Sequence, residues 1–95
     1  MTIAVDCLQA GECLRVKTPT ATYFLLMLGN LVASVYRMGD GEPNARLIEK
    51  RRMSNRLDLH TGFKMFNENN EPLSVIIPIE VALVSPDTIP LRHEE

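Results

Sequence analysis

His60 is the imidazole in the body of the chain, and Asp58 stands two residues before it. On a regular strand, residues two apart share a face, so Asp58 could orient the His60 ring and His60 could serve as a base. Thr61 and the cysteines are the available nucleophiles, but no spacing brings any of them to the ring. A hydrogen-bonded or solvent-facing structural histidine is the plainer reading. Asp58 and His60 therefore stand only as the centre of a possible ligand site, and no catalytic residue is assigned. His93 lies in the C-terminal tail. Glu68 and Glu71 flank a turn, Glu94 and Glu95 are terminal, and Asp40 with Glu42 falls short of the about 6–8 oxygens a calcium loop needs. Cys7 and Cys13 are spaced as no common zinc pair. No metal and no cofactor is expected, and both cysteines read as free thiols, buried or half-buried. Gly39-Asp40-Gly41 precedes Glu42-Pro43, which adds a negative charge and lacks a donor, so it reads as a turn and not a phosphate loop.

The sharper chemical signal is electrostatic. Residues 44–58 hold Arg46, Lys50, Arg51, Arg52 and Arg56 against Glu49 and Asp58, a net of +3, which leaves −5 for the rest of a chain whose total is −2. Guanidinium forks match carboxylate and phosphate oxygens. Arg15 and Lys17 could extend such a patch, and Tyr23, Tyr36 or Phe63 could stack on a base. No aromatic is interleaved in the run, and the acidic total excludes a generally basic nucleic-acid binder. Three readings follow: a solvated face, a site for an acidic protein surface, and, third, a nucleic-acid contact.

The elements that must position these residues are short. Ninety-five residues, 45% hydrophobic and 23% charged, with no Trp, read as a single domain over 1–95 whose core is filled by Leu, Ile, Val and Met. Leu14, Val16 and Thr18 alternate with Arg15 and Lys17, the pattern of a strand with one wet face. Residues 22–28 are nearly continuously apolar, as in a strand covered on both sides. Gly29-Asn30 reads as a tight hairpin turn, after which Leu31, Ala33, Val35 and Arg37 share one face. Segment 44–53 admits a helix capped by Asn44 or a strand over 45–50 in which Ala45, Leu47 and Met53 share a face; the strand is carried forward. Residues 56–66 read as a further strand kinked at Gly62, and 67–72 as a polar turn. Pro78 requires the run 73–84 to be an edge or broken. The ordered core is expected over 11–86, with 87–95 a frayed tail.

The run Gly11-Glu12-Cys13-Leu14-Arg15-Val16-Lys17-Thr18, followed by Ala21-Thr22-Tyr23, resembles a family of short uncharacterised bacterial β-rich proteins. These open with a Leu-x-Val-x-Thr strand and carry a mid-chain Glu-Pro, as Glu42-Pro43 here, and a later Gly-x-basic-Met, as Gly62-Phe63-Lys64-Met65. Residues 49–56 depart from the small residues and glycines of that pattern. The resemblance implies a β-rich fold and transfers no activity.

The expectation is an all-β domain, with room for one short helix, built as a small antiparallel β-barrel or two-sheet roll of about six strands. Its expected role is a non-catalytic interaction or assembly module, with itself as a homo-oligomer or an acidic protein surface as partner. The alternative is a small nucleic-acid binder using the arginine segment. No apolar run approaches the about 20 residues that cross a bilayer, and with no leader pattern the expected compartment is the cytoplasm.

Overall fold

The computed structural model describes residues 2–53, 56–58, 62, 64–67, 69–73 and 75–91. β1 (Thr2–Ala4) pairs antiparallel with β6 (Arg56–Asp58) as a small two-stranded sheet. β2 (Cys13–Lys17), β3 (Ala21–Gly29), β4 (Val32–Gly39) and β5 (Arg46–Met53) form an antiparallel meander. β8 (Glu80–Val84) adds outside β2 and β7 (Met65–Phe66) outside β5, giving the order β7-β5-β4-β3-β2-β8. The all-β expectation holds. Among the described residues there is no α-helix, and segment 46–53 is strand, which bears out the strand expected over 45–50 and extends it by three residues. The larger sheet is open, so barrel closure is not the arrangement found. β7 is only two residues long and Pro72 bridges Phe66, which leaves no ladder there for β8 to join.

Strand alternation sorts the apolar side chains onto two faces. Leu14, Val16, Leu25, Met27, Ala33, Val35 and Met53 form the main core, capped by Val5, Leu57 and Met65. Cys13, Phe24, Ala45 and Ile89 form a second cluster on the opposite face, with Tyr36 and Met38 against it. β3 contributes to both, which accounts for its unbroken apolar run. Each buried Leu or Met contributes about 1.5–3 kcal/mol relative to exposure, so the two-sided β3 is the energetic centre of the domain. From β7 the chain runs to the opposite edge, with Leu73 and Ile76 packed on the main core and Pro78 buried on the way. The run 73–84 is both broken at Pro78 and, from Glu80, an edge strand.

Four expectations need correction. The β3–β4 turn sits one residue later than Gly29-Asn30: Gly29 pairs with Val32, and Asn30 (φ 54°) and Leu31 (φ 64°) occupy the left-handed turn positions. Gly29 (φ 106°) instead absorbs a register slip after Met27. A left-handed Leu costs about 1–2 kcal/mol, offset here because Leu31 packs against the main core.

The second correction is in β5. Val35 pairs with Glu49 but Tyr36 with Leu47, so Ile48 is an extra residue, a bulge that exchanges the faces beyond it. Leu47 therefore shares a face with Tyr36 while Met53 enters the main core; the two do not share one face.

Third, residues 56–66 are not one strand, since β6 and β7 belong to different sheets. Gly62 (φ 76°) lies between them, where a Cβ would collide with the Ile76 carbonyl oxygen.

Fourth, the expected tail is packed as far as Leu91. The Ser85 hydroxyl caps a short 3₁₀ turn (Pro86–Thr88), Ala45 N–H donates to the Pro90 carbonyl at 2.7 Å, and Ile89 is buried. This segment crosses the second face from β8 back to the start of β5 and seals it.

Candidate anion-binding concavity

The bulge at Ile48 decides which way the basic residues of β5 face. Past it, Lys50 stands opposite Ser34 and Arg52 opposite Val32, so both lie on the face away from the main core. β7 brings Phe66 opposite Arg52, and the guanidinium lies over the Phe66 ring with 4.6 Å from Cζ to the centroid.

The turn after β7 is built by Asn67. Its Oδ1 accepts from the backbone N–H of Asn69 and of Glu71, both at 3.0 Å, and its own N–H donates to the Glu71 carbonyl at 3.1 Å. Asn70 N–H donates to the Asn67 carbonyl at 2.9 Å, and Asn70 takes φ 65°, a conformation asparagine adopts more readily than most residues. This geometry holds Asn70 Oδ1 against Arg52, which donates to it from Nε at 2.9 Å and from Nη2 as well. Val32, Lys50, Arg51, Arg52, Asn67 and Asn70 line a concavity of about 370 Å³.

The partners of Arg52 are an aromatic face and a neutral amide. They restrict its rotamers without cancelling its charge, unlike a carboxylate partner, which would neutralise it. Among the described residues, the cations on this face of the concavity are Lys50 and Arg52, Arg51 alternating to the other face of β5, and no carboxylate lines it. Glu71 Oε1 is taken up by Asn67 Nδ2 at 3.4 Å. The arrangement suits a small oxyanion: positive charge from two side chains, amide donors nearby, and a fixed guanidinium edge. Among the described residues no imidazole, thiol or hydroxyl lines it.

Of the five basic residues singled out in the sequence, the structure brings Lys50 and Arg52 onto one face beside the concavity, turns Arg51 to the other face of β5, and sets Arg46 far from them. Arg46 lies at the opposite end of β5, paired with Arg37, beside a smaller hollow lined by Glu42, Pro43, Asn44 and Ala45. Arg56 belongs to β6, opposite Ala4 in the other sheet, and Asp58 lies there opposite Thr2. His60, Phe63, Glu68, His93, Glu94 and Glu95 lie outside the described residues. Arg15 and Lys17 do not extend the patch, because β3 and β4 separate β2 from β5; Arg15 pairs instead with Glu80 at 3.0 Å. Tyr23 and Tyr36 pack against the two apolar clusters.

Cys7 is exposed and Cys13 buried, and burial pushes the Cys13 thiol above its ordinary pKa. Gly39-Asp40-Gly41 forms a turn in which Glu42 N–H donates to the Gly39 carbonyl at 3.0 Å. The residues that sequence reasoning missed are Val32, Phe66, Asn67 and Asn70. Their only trace was the polar turn at 67–72, and nothing local revealed that β7 would carry it to the end of β5.

No family model, curated protein or solved structure matches the chain.

Proposed function

We propose that this protein is a non-catalytic β interaction module that takes an anionic group of an acidic protein partner in the concavity of Lys50 and Arg52. The observation that carries this reading is the fixing of Arg52 by two neutral groups, Phe66 and Asn70, beside the further cation Lys50. A guanidinium held in one geometry loses less entropy on meeting a carboxylate than a freely rotating one does.

The footprint is small. A nucleic-acid strand presents a row of phosphates and calls for an extended basic track with exposed aromatic faces. Here Arg46 lies at the opposite end of β5 from the concavity, and one face of Phe66 is covered by Arg52. These facts favour a carboxylate-bearing partner.

The test is binding of a fluorescent aspartate-rich peptide and of a single-stranded oligonucleotide of equal charge, each at low and physiological salt. The reading expects saturable peptide binding weakened by Lys50→Ala. Tighter binding of the oligonucleotide, with a steep salt slope, would replace it with the nucleic-acid reading, and binding of neither would end both.

A further inference from the structure

At the far end of the sheet from the concavity, β8 has one neighbour, β2, and no other described strand pairs with its outer edge. Exposed edges of natural sheets are commonly guarded by lysines, bulges or inward-pointing charges. β8 carries no lysine and no bulge, and its flanking prolines, Pro78 and Pro86, stand outside the five-residue ladder. Its single charge, Glu80, is turned back onto its own sheet by the ion pair with Arg15, and Leu83 and the preceding Ile79 are exposed apolar residues. The other edges are poorer: β7 is two residues long and already bridged to Pro72, and β1 and β6 have three residues each.

Around Ala82 the inner apolar pair and the prolines are placed symmetrically, Val81 with Leu83 and Pro78 with Pro86, in the run Pro78-Ile79-Glu80-Val81-Ala82-Leu83-Val84-Ser85-Pro86. An antiparallel pairing of two copies about that residue sets Val81 against Leu83 of the other copy, Glu80 against Val84, and Pro78 against Pro86. Val81 and Leu83 thus meet apolar to apolar on both sides of the axis, Ile79 falls opposite Ser85, and the donor-less prolines fall opposite each other outside the ladder. The two Glu80 residues are then four positions apart along the strand direction, about 13 Å. That exceeds the screening length of about 8 Å at physiological ionic strength, so no like charges oppose the contact.

We infer that β8 is a self-association edge: a second copy of this chain adds its own β8 antiparallel, with the two-fold axis at Ala82, to make one continuous twelve-stranded sheet. Two-fold pairing of this kind is isologous and closes at the dimer. The dimer carries its two basic concavities at opposite ends of the joined sheet, so it presents them to a repetitive acidic partner as two separate sites. The inference does not depend on what the concavities bind.

The experiment uses the full chain in a Cys7→Ser background, which removes the exposed thiol. Ala82→Cys is treated with a short bis-maleimide, with Leu47→Cys, exposed on β5, as the control. Sedimentation of the unmodified chain and of Leu83→Lys is followed over a hundredfold concentration range. The inference expects a dimer band for Ala82→Cys and little for Leu47→Cys. It also expects a mass that rises from one chain to two with concentration, and a shift of that rise to at least tenfold higher concentration in Leu83→Lys with an unchanged circular dichroism spectrum. A single-chain mass throughout, or a dimer that Leu83→Lys leaves intact and Ala82→Cys does not crosslink, overturns it.

Discussion

Arg52 lies over the ring of Phe66, and the same guanidinium donates from Nε and Nη2 to Oδ1 of Asn70. Two residues from the next strand and its turn thus hold one cation of β5 without neutralising it. The account of the concavity rests on that arrangement, and it separates charge from geometry in a way substitutions can read.

Arg52→Lys keeps the charge and loses both the planar stack and the fork. Binding of the acidic peptide is expected to weaken about tenfold, or about 1.4 kcal/mol. Thermal stability should change little, since an exposed cation–aromatic contact contributes about 0.5–1 kcal/mol. Fluorescence titration and thermal melts of the two proteins measure these separately. Equal peptide affinity would remove the fixed guanidinium from the account.

Asn70 does two jobs, accepting from Arg52 and adopting φ 65°. Asn70→Gly keeps the backbone conformation accessible and removes only the acceptor, so peptide binding falls while urea stability stays near that of the parent. Asn70→Ala loses the acceptor and adds the left-handed penalty of about 1 kcal/mol or more. The difference between the two variants in urea midpoint reads the backbone contribution alone.

The bulge at Ile48 predicts opposite fates for Leu47 and Met53. Met53→Ala opens a cavity in the main core and should cost about 2–5 kcal/mol. Leu47→Ala, at an exposed site, should change stability by about 0.5 kcal/mol or less. Comparable costs at both positions would mean that they share a face after all.

That pair also shows where the sequence ran out. The alternation of Leu14 and Val16, the unbroken apolar run of β3 and the break at Pro78 are local signals, and all three appear in the fold as expected. Bulges are not local in the same sense. Ile48 is extra only relative to its partner strand, and Gly29 absorbs a slip that depends on β4, so the turn came out one residue late and the faces of β5 were exchanged. The packing of Ile89 depends on Phe24 and Ala45, far away in the chain, and its own surroundings of prolines suggested only a tail. The concavity was half legible: Lys50, Arg51 and Arg52 stood out as charge, whereas Asn67, Asn70 and Phe66 join them only through the pairing of β7 with β5.

Ile89 supplies a check on the crossing segment. Ile89→Ala should destabilise the domain by about 2 kcal/mol through loss of buried area in the second cluster. A frayed tail would leave the urea midpoint unchanged.

Cys13 ties stability to pH. Its thiol is raised by burial, so the folded state holds the proton more tightly than the unfolded chain does. The associated stability is fully present below the ordinary value of 9.0 and is lost as pH rises past it through the higher folded value. Cys13→Ala should flatten the decline of urea stability above that pH. In thiol labelling at neutral pH, Cys7 reacts at once and Cys13 only on unfolding.

The most direct test of the central claim is a nuclear magnetic resonance titration of the isotopically labelled protein with the aspartate-rich peptide. The account predicts saturable shift changes concentrated at Val32, Lys50, Arg51, Arg52, Asn67 and Asn70, with little change around Arg46 and Arg37. Changes centred on Arg46, or none that saturate, would contradict it.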